Sequence, residues 1–188
     1  GIQDSLNGKV DSILIDPPYN SDISYIGYKD SGFKGGWVNF IKDRIILARK
    51  LLTKNGFLVI NIDEGERDEL FDLCKTIFLG GCVSLHKWKK INPFFDKNRI
   101  VLNPNKKQTP YEYIIICKNT LESKLNSIKQ PYIDGDKLKE KDSKVPAIFD
   151  CFGTTSSAKD EIQEIFGDRT YFSTPKPLKL MKELVRAT

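Results

Sequence analysis

A carboxylate, two prolines and a tyrosine stand together at Asp16-Pro17-Pro18-Tyr19, directly after a short apolar run. The Asp16 carboxylate is one hydrogen-bond acceptor, and the Pro17 carbonyl is a second whose direction is fixed because proline restricts φ. Two acceptors that each take one N–H of a ring-attached amine free its nitrogen lone pair, which is otherwise delocalised and weakly nucleophilic. Tyr19 offers a ring on which a base rotated out of a duplex can stack. The motif therefore indicates chemistry on an exocyclic amine, and a rigid turn without chemistry is the alternative.

The elements that must position this motif alternate between strands and helices. Apolar runs predict strands at 10–15, 57–62, 82–88 and 111–117, and apolar periodicity predicts helices at 37–52, 66–78 and 175–187. We expect the first of these helices to be ended by Asn55-Gly56. Continuously apolar strands between helices are typical of a mostly parallel α/β sheet with helices on both faces. Ligands of such sheets bind at the carboxyl ends of strands, where residues 16–19 would lie.

Composition excludes several classes of protein. The 188 residues are 39% hydrophobic and 11% aromatic, which is enough apolar material for a core and argues against wholesale disorder. A single histidine, His86, and four scattered cysteines predict neither a metal site nor a disulfide framework, so these residues are expected to be structural. No apolar run approaches the ~20 residues that cross a bilayer, and we expect a cytoplasmic protein without membrane contact.

The positive charge is concentrated in residues 87–107. This segment contains seven Lys or Arg residues and one acid, Asp96, within a chain of net charge +5. Trp88, Phe94 and Phe95 interleave with the basic residues, so phosphate contacts combined with stacking or wedging are the functional interpretation. A merely solvated basic loop is the alternative. The residues predicted to contact nucleic acid here are Lys87, Lys89, Lys90, Lys97, Arg99, Lys106 and Lys107.

Residues 13–20, Ile-Leu-Ile-Asp-Pro-Pro-Tyr-Asn, resemble the catalytic motif of β-class DNA amino-methyltransferases in its adenine form, especially that of the modification subunits of type III restriction systems. The resemblance continues in order through most of the chain, at Trp37 and Arg44 to Leu52, 56–63, Glu66, 111–115 and 172–177. It implies a Rossmann-like methyltransferase sheet and site-specific, S-adenosylmethionine-dependent methylation of adenine N6 without a metal. It also implies double-stranded DNA with a flipped adenine as substrate, and a restriction subunit and a second copy of the chain as possible partners.

The resemblance also implies roles for individual residues. Asp16, Pro17, Pro18 and Tyr19 would be catalytic, and Asn20 would contact DNA. The cofactor would be held by Phe172, Thr174, Pro175, Lys176 and Pro177. Asp63 and Glu64 lie at a strand end near the same crevice, but capping of the next helix is the preferred interpretation.

The sequence departs from the family pattern in two places. Tyr111 stands where the family more often has His, so no role of that His is carried over. The family's glycine-rich cofactor loop is not found after residues 172–177, and residues 150–155 imitate it only loosely and too early in the chain. We therefore expect an incomplete domain that is inactive alone. Residues 1–118 would form the catalytic core, 119–170 an irregular target-recognition region, and 171–188 the start of the cofactor-binding half.

Three alternatives remain open at this point. The chain could be a nucleic-acid-binding module that holds a base but performs no chemistry. It could methylate RNA. Methylation of a protein amide is a third possibility, because a related Asn-Pro-Pro-Tyr motif serves that reaction, although Asp16 in place of Asn and the basic segment 87–107 favour nucleic acid.

Overall fold

The computed structural model describes residues 2–19, 36–92, 94–96 and 109–188. The chain divides into two compact units. The first unit comprises residues 1–86, 113–124 and 188, and the second comprises residues 87–112 and 125–187. Within the described ranges, no helix is both long enough and apolar enough to cross a membrane.

The first unit is an α/β sheet in which α2 lies between β1 and β2 along the chain, and α3 between β2 and β3. Its strands lie in the order β1-β2-β4-β3, with β1 parallel to β2 and β4 antiparallel to β2. The two prolines after β1 end that strand because they cannot continue a ladder. The elements are α1 (Ile2–Leu6), β1 (Val10–Ile15), α2 (Trp37–Leu51), β2 (Leu52–Ile62), α3 (Arg67–Phe78), a 3-10 turn (Gly80–Cys82), β3 (Val83–Lys89) and β4 (Tyr111–Lys118).

The core of the first unit lies between the sheet and the helices α2 and α3. Every second residue of β2, from Leu58 to Ile62, packs in one cluster with the apolar stripes of the two helices. Phe57 and Val59, which alternate with these residues along β2, are buried as well, at 4% and 0% exposure. Both faces of β2 are therefore covered, which is why its sequence is continuously apolar rather than alternating.

The second unit combines a polar hairpin with two helices. β7 pairs in parallel with Lys87 and Trp88 at the end of β3. Residues 150–155 lead into α4, and the Thr154 hydroxyl caps it by accepting the Ser157 N–H at 3.2 Å. The elements are β5 (Ile128–Asp134), β6 (Lys137–Ser143), β7 (Ile148–Phe149), α4 (Thr155–Phe166) and α5 (Leu178–Ala187).

The expected mixed α/β architecture, mainly parallel, is confirmed, but several boundaries differ from the predictions. Asn55-Gly56 does not end α2, which ends at Leu51 and passes directly into β2. The dipeptide lies instead where the pairing register between β1 and β2 shifts. The sequence also favours a short helix over 158–166, whereas α4 begins at Thr155. α5 begins at Leu178 because Pro175 and Pro177 precede its first turn.

Residues 118–144 also contain more structure than expected, since β5 and β6 form an antiparallel hairpin there. The ribbon is mostly exposed, and every residue of β6 before Ser143 is solvent-exposed. Opposite charges face each other across it, as in the pair of Lys129 Nζ and Asp142 Oδ2 at 2.7 Å. Because neither side of the ribbon is strongly apolar, its sequence carries no clear hydrophobic period.

Gly56 provides a test of the register shift. A Cβ at this position would lie 3.0 Å from both the Val10 and the Asp11 carbonyl oxygens. We expect Gly56→Ala to lower the free energy of unfolding by about 1–3 kcal/mol, because backbone atoms must move apart. Gly80→Ala, where a Cβ meets nothing within 4 Å, should change it by less than about 0.5 kcal/mol. Urea unfolding of both variants measures the difference, and equal stabilities would contradict this account of the bulge.

Candidate active site

The Asp16–Tyr19 turn begins where β1 ends, at the carboxyl end of a parallel strand. The Asp16 carboxylate is solvent-exposed, and Tyr19 is half-buried against the core. The Tyr19 hydroxyl donates a hydrogen bond to Asp16 Oδ1 at 2.6 Å. This hydrogen bond orients the Asp16 carboxylate, which is exposed to solvent.

The turn is also held from the helix side. Trp37, the first residue of α2, is 4% exposed, and its Nε1–H donates to the Pro18 carbonyl at 2.6 Å. Among the described residues, the Pro17 carbonyl accepts no hydrogen bond. The Pro18 carbonyl therefore anchors the turn, whereas the Pro17 carbonyl has no hydrogen-bond donor within the described residues. Asp16 and Pro17 thus place two hydrogen-bond acceptors, a carboxylate and a carbonyl, on adjacent residues of the turn.

Asn61 is a residue of this region that the sequence prediction missed. Ile15 pairs with Ile60 in the parallel ladder, so Asp16 and Asn61 each follow that pair by one residue. Ile60 faces α2 and α3, and side-chain alternation along β2 therefore directs Asn61 to the opposite face. Asn61 is 1% exposed, and its Nδ2 has no hydrogen-bond partner in the described part of the chain. Buried amides are nearly always satisfied, so this orphaned donor fits a site that receives a ligand.

Three other polar residues of the first unit, Asp63, Glu64 and His86, make contacts within the fold. Asp63 Oδ1 accepts the Gly65 N–H at 3.0 Å in the turn before α3, and Glu64 lies 3.7 Å from Arg67. The buried His86 is hydrogen-bonded through Nε2 to the Ser84 hydroxyl at 2.9 Å. These contacts support the interpretation that these residues cap or brace the fold.

The cysteines are buried thiols. A hydrogen bond with Cys74 and burial raise the pKa of the Cys117 thiol. In the second unit, burial and the neighbouring Asp150 raise the pKa of the Cys151 thiol. A thiol with a raised pKa is protonated at neutral pH and is a poor nucleophile. The described contacts therefore agree with the prediction that the cysteines fill core positions.

In the second unit, the predicted cofactor segment 172–177 is mostly exposed up to Thr174 and becomes buried at Pro177. The Phe172 ring is 50% exposed and contacts Tyr171 and Phe166 in an aromatic cluster, with ring centroids 5.2 and 6.3 Å away. The Lys176 side chain is 6% exposed and forms an ion pair with Glu112 at 3.2 Å. The segment thus presents residues 172–174 to solvent, while its cation, Lys176, is directed inward.

The described part of the basic segment, residues 87–92 and 94–96, is less available for DNA contact than its composition predicts. Lys89 is paired with Asp150 at 3.3 Å, and Lys90 with Glu112 at 3.2 Å, whereas Lys87 is exposed over the Tyr111 ring. The prediction that Trp88 is free to stack on or wedge into a duplex is wrong. This side chain is 1% exposed, because strand alternation points it inward, where its Nε1–H donates to the Gly153 carbonyl at 3.1 Å. Several of the predicted DNA contacts lie outside the described residues: Asn20, Lys97, Arg99, Lys106 and Lys107.

Comparisons with known proteins agree with these observations. A family model described as DNA methylase matches residues 10–188. The chain is 27% identical over 163 residues to the Mod subunit of the type III restriction-modification enzyme StyLTI of Salmonella typhimurium, with 70% of this chain and 24% of that protein covered. It is 25% identical over 156 residues to the EcoP15I Mod subunit of Escherichia coli, with coverages of 67% and 23%. The chain thus spans about a quarter of the length of these relatives.

Solved structures of low sequence identity share the fold. The cytosine-N4-specific PvuII DNA methyltransferase is 13% identical with a TM-score of 0.54, and the match covers 99% of this chain and 66% of that one. The M1.HpyAVI–SAM complex is 16% identical with a TM-score of 0.50, at coverages of 99% and 69%. These likenesses confirm the expected Rossmann-like methyltransferase sheet.

The orphaned amide of Asn61 makes a direct prediction about stability. Replacing it in Asn61→Leu removes a buried donor without a partner, so we expect the free energy of unfolding to stay level or rise by about 1 kcal/mol. Asn119→Leu is the matched control, because the Asn119 amide donates to the Thr53 carbonyl at 2.9 Å and its loss leaves an acceptor unpaired. Urea unfolding measures both variants. A loss of stability in Asn61→Leu as large as that in Asn119→Leu would show that the Asn61 amide is satisfied.

Proposed function

The chain belongs to the DNA methylase family, and from that premise we propose that it methylates the N6 amine of adenine in DNA as part of a restriction-modification system. The observation that carries the proposal is the geometry of the turn after β1. An exposed carboxylate, oriented by a tyrosine hydroxyl, adjoins a carbonyl on a rigid Pro-Pro backbone. This is the pair of acceptors that an unreactive ring-attached amine requires.

Asp16 and Pro17 would each accept one N–H of the amine. Withdrawing both protons from the ring plane shifts the nitrogen towards tetrahedral geometry and localises its lone pair. Because the carbonyl and the carboxylate are held before the substrate arrives, no reorganisation is needed during the reaction. No strong base is required, since the proton leaves only after the nitrogen has become cationic.

Tyr19 would have two tasks in this reaction. Its hydroxyl orients Asp16, and its half-buried ring can stack on an adenine that has left the duplex. Unstacking a base costs a few kcal/mol, and stacking on an aromatic ring offsets part of that cost. Double-stranded DNA with a flipped adenine is therefore the proposed substrate.

S-adenosylmethionine is the proposed cofactor, and when bound it supplies an electrophilic methyl group. The orphaned Asn61 donor of the first unit fits a polar ligand of this kind. The residues proposed to hold the cofactor are Phe172, Thr174, Pro175, Lys176 and Pro177. Their tasks are to bind and orient it and to exclude water.

The basic segment is proposed to contact the DNA phosphates. Lys87, exposed at the end of β3, supports this assignment among the described residues, and Asn20, Lys97, Arg99, Lys106 and Lys107 complete it. Lys89 and Lys90, each of which is paired with an acid, would contribute less charge than their number suggests. A restriction subunit and a second copy of this chain are the proposed protein partners, by analogy with the Mod subunits that the chain resembles.

Replacing Asp16 tests the central step. In the full-length protein we expect Asp16→Ala to lower kcat/KM for DNA methylation by about 10²–10³-fold, because one of two preorganised acceptors is lost. Salt-dependent DNA binding should be unchanged. Asp11→Asn is the control, since Asp11 is an exposed carboxylate of the same strand that accepts the Thr53 hydroxyl at 3.0 Å. Mass spectrometry of the digested product identifies the methylated base. Full turnover in Asp16→Ala rejects the role of the carboxylate, and N4-methylcytosine or methylated RNA as the main product rejects adenine in DNA.

Two substitutions of Tyr19 separate the ring from the hydroxyl. Tyr19→Phe keeps the ring and removes the bond to Asp16, so base extrusion should persist while kcat falls. Tyr19→Ala removes both, and its binding of an extruded base should weaken by about 1–3 kcal/mol. Fluorescence of 2-aminopurine at the target position reports extrusion, and methyl transfer reports turnover. Equal extrusion by the Phe and Ala variants would show that the ring does not stack on the base.

A further inference from the structure

Glu112 binds two cations in the second unit. Its side chain, near the start of β4, is 6% exposed. Oε1 lies 3.2 Å from the Lys90 ammonium, and Oε2 lies 3.2 Å from the Lys176 ammonium. The Lys176 side chain is also 6% exposed, whereas that of Lys90 is 22% exposed. The inner ion pair, between Glu112 and Lys176, is therefore the more completely buried of the two.

Burial makes this pair more consequential than a surface ion pair. Exposed pairs are weakened by solvent and by side-chain entropy, and they add little to stability. A buried cation deprived of its carboxylate keeps the desolvation penalty without the compensating attraction. Removing the Glu112 charge therefore favours movement of the Lys176 ammonium from its buried position towards solvent.

The backbone around Lys176 depends on this side chain. Lys176 stands between Pro175 and Pro177, neither of which has an N–H to bond to a neighbour. Pro177 is buried beside Gly153, where an added Cβ would lie only 2.7 Å from the Pro177 Cβ. Thr174 and the residues before it are exposed. Lys176 is thus a charged anchor at the point where the exposed segment enters the protein.

We propose that Glu112 is a positioning residue, which acts through Lys176 to hold Thr174–Pro177 in the conformation that receives the cofactor. The proposal rests on the proposed function, in which this segment binds S-adenosylmethionine. Lys176 contributes as the anchor rather than by directing its charge at the ligand, because its ammonium is already bound to Glu112. The exposed backbone and the ring of Phe172 then remain as the contacting groups.

Glu183 provides a matched control for a purely structural role. It is a second buried carboxylate of the same unit, 3% exposed, and it binds the Lys179 and Arg186 side chains at 3.2 Å. It also accepts the Lys129 N–H at 2.8 Å. Its partners lie on β5 and α5 and include none of residues 172–177. Glu183→Gln therefore perturbs a comparable charge cluster without releasing the segment.

The test compares Glu112→Gln with Glu183→Gln in the full-length protein. We expect Glu112→Gln to raise both the Kd and the KM for S-adenosylmethionine about tenfold or more while kcat changes much less, since binding rather than chemistry is affected. Glu183→Gln should leave both constants close to wild type even at an equal loss of Tm. Lys176→Arg, which keeps a cation for Glu112, should retain most of the affinity, and Lys176→Met should not.

A readout that does not depend on activity accompanies these constants. Without cofactor, hydrogen exchange of the amides between Phe172 and Leu178 should accelerate in Glu112→Gln and not in Glu183→Gln. If Glu112→Gln does not fold, Glu112→Asp replaces it, because the charge is kept while the shorter side chain cannot reach both ammonium groups. Unchanged exchange and unchanged Kd in the Glu112 variant overturn the proposal, as do equal changes in the Glu183 variant. A wild-type protein that binds no S-adenosylmethionine rejects the proposed function, whereas the exchange comparison still decides whether Glu112 positions the segment.

Discussion

The hydrogen bond from the Trp37 indole to the Pro18 carbonyl secures the turn on which the candidate active site depends. Pro17 and Pro18 end β1, so the ladder pairing with β2 stops at Ile15. The backbone carbonyls after Ile15 therefore need other hydrogen-bond partners. Buried backbone groups require another partner when this happens. The first side chain of α2 supplies one, and it does so from within the core, where its position is determined by packing. The packing of α2 on the sheet thereby sets the orientation of the turn that we propose to be catalytic.

Much of the framework could be predicted from the sequence, because its signals are local. Apolar runs bounded by Pro or Gly mark β1 and β4, and helical periodicity marks α2 and α3 within one or two residues at most ends. Asn55-Gly56 shows the limit of such reasoning. The same dipeptide suits a helix cap and a bulge, and only the close approach of Val10 and Asp11, distant in sequence, decides between them. The hairpin β5–β6 was missed because a solvated ribbon needs no apolar face.

For the candidate site, the sequence reveals the contiguous motif but not the residues that only the fold brings together. The Asp16–Tyr19 motif is contiguous, so its chemistry is legible from the sequence. Asn61 lies inside an apolar run and becomes notable only through the strand register that sets it level with Asp16. Trp88 could have been identified as buried, because it alternates with Lys87 and Lys89 at the end of the predicted strand 82–88. The partnership of Glu112 with Lys176 joins residues 64 positions apart and has no local signature.

The charged hairpin β5–β6 of the second unit is a region in which side chains can be replaced at little cost in stability. Its strands are held by main-chain pairing from Ile128 to Ser143, and cross-strand ion pairs such as that of Lys129 and Asp142 lie at its surface. Reversing the two charges of such a pair, or replacing both residues by neutral polar ones, removes few packing contacts because the side chains lie at the surface. Substitutions in this ribbon should therefore cost less stability than substitutions in β2, which is buried on both faces.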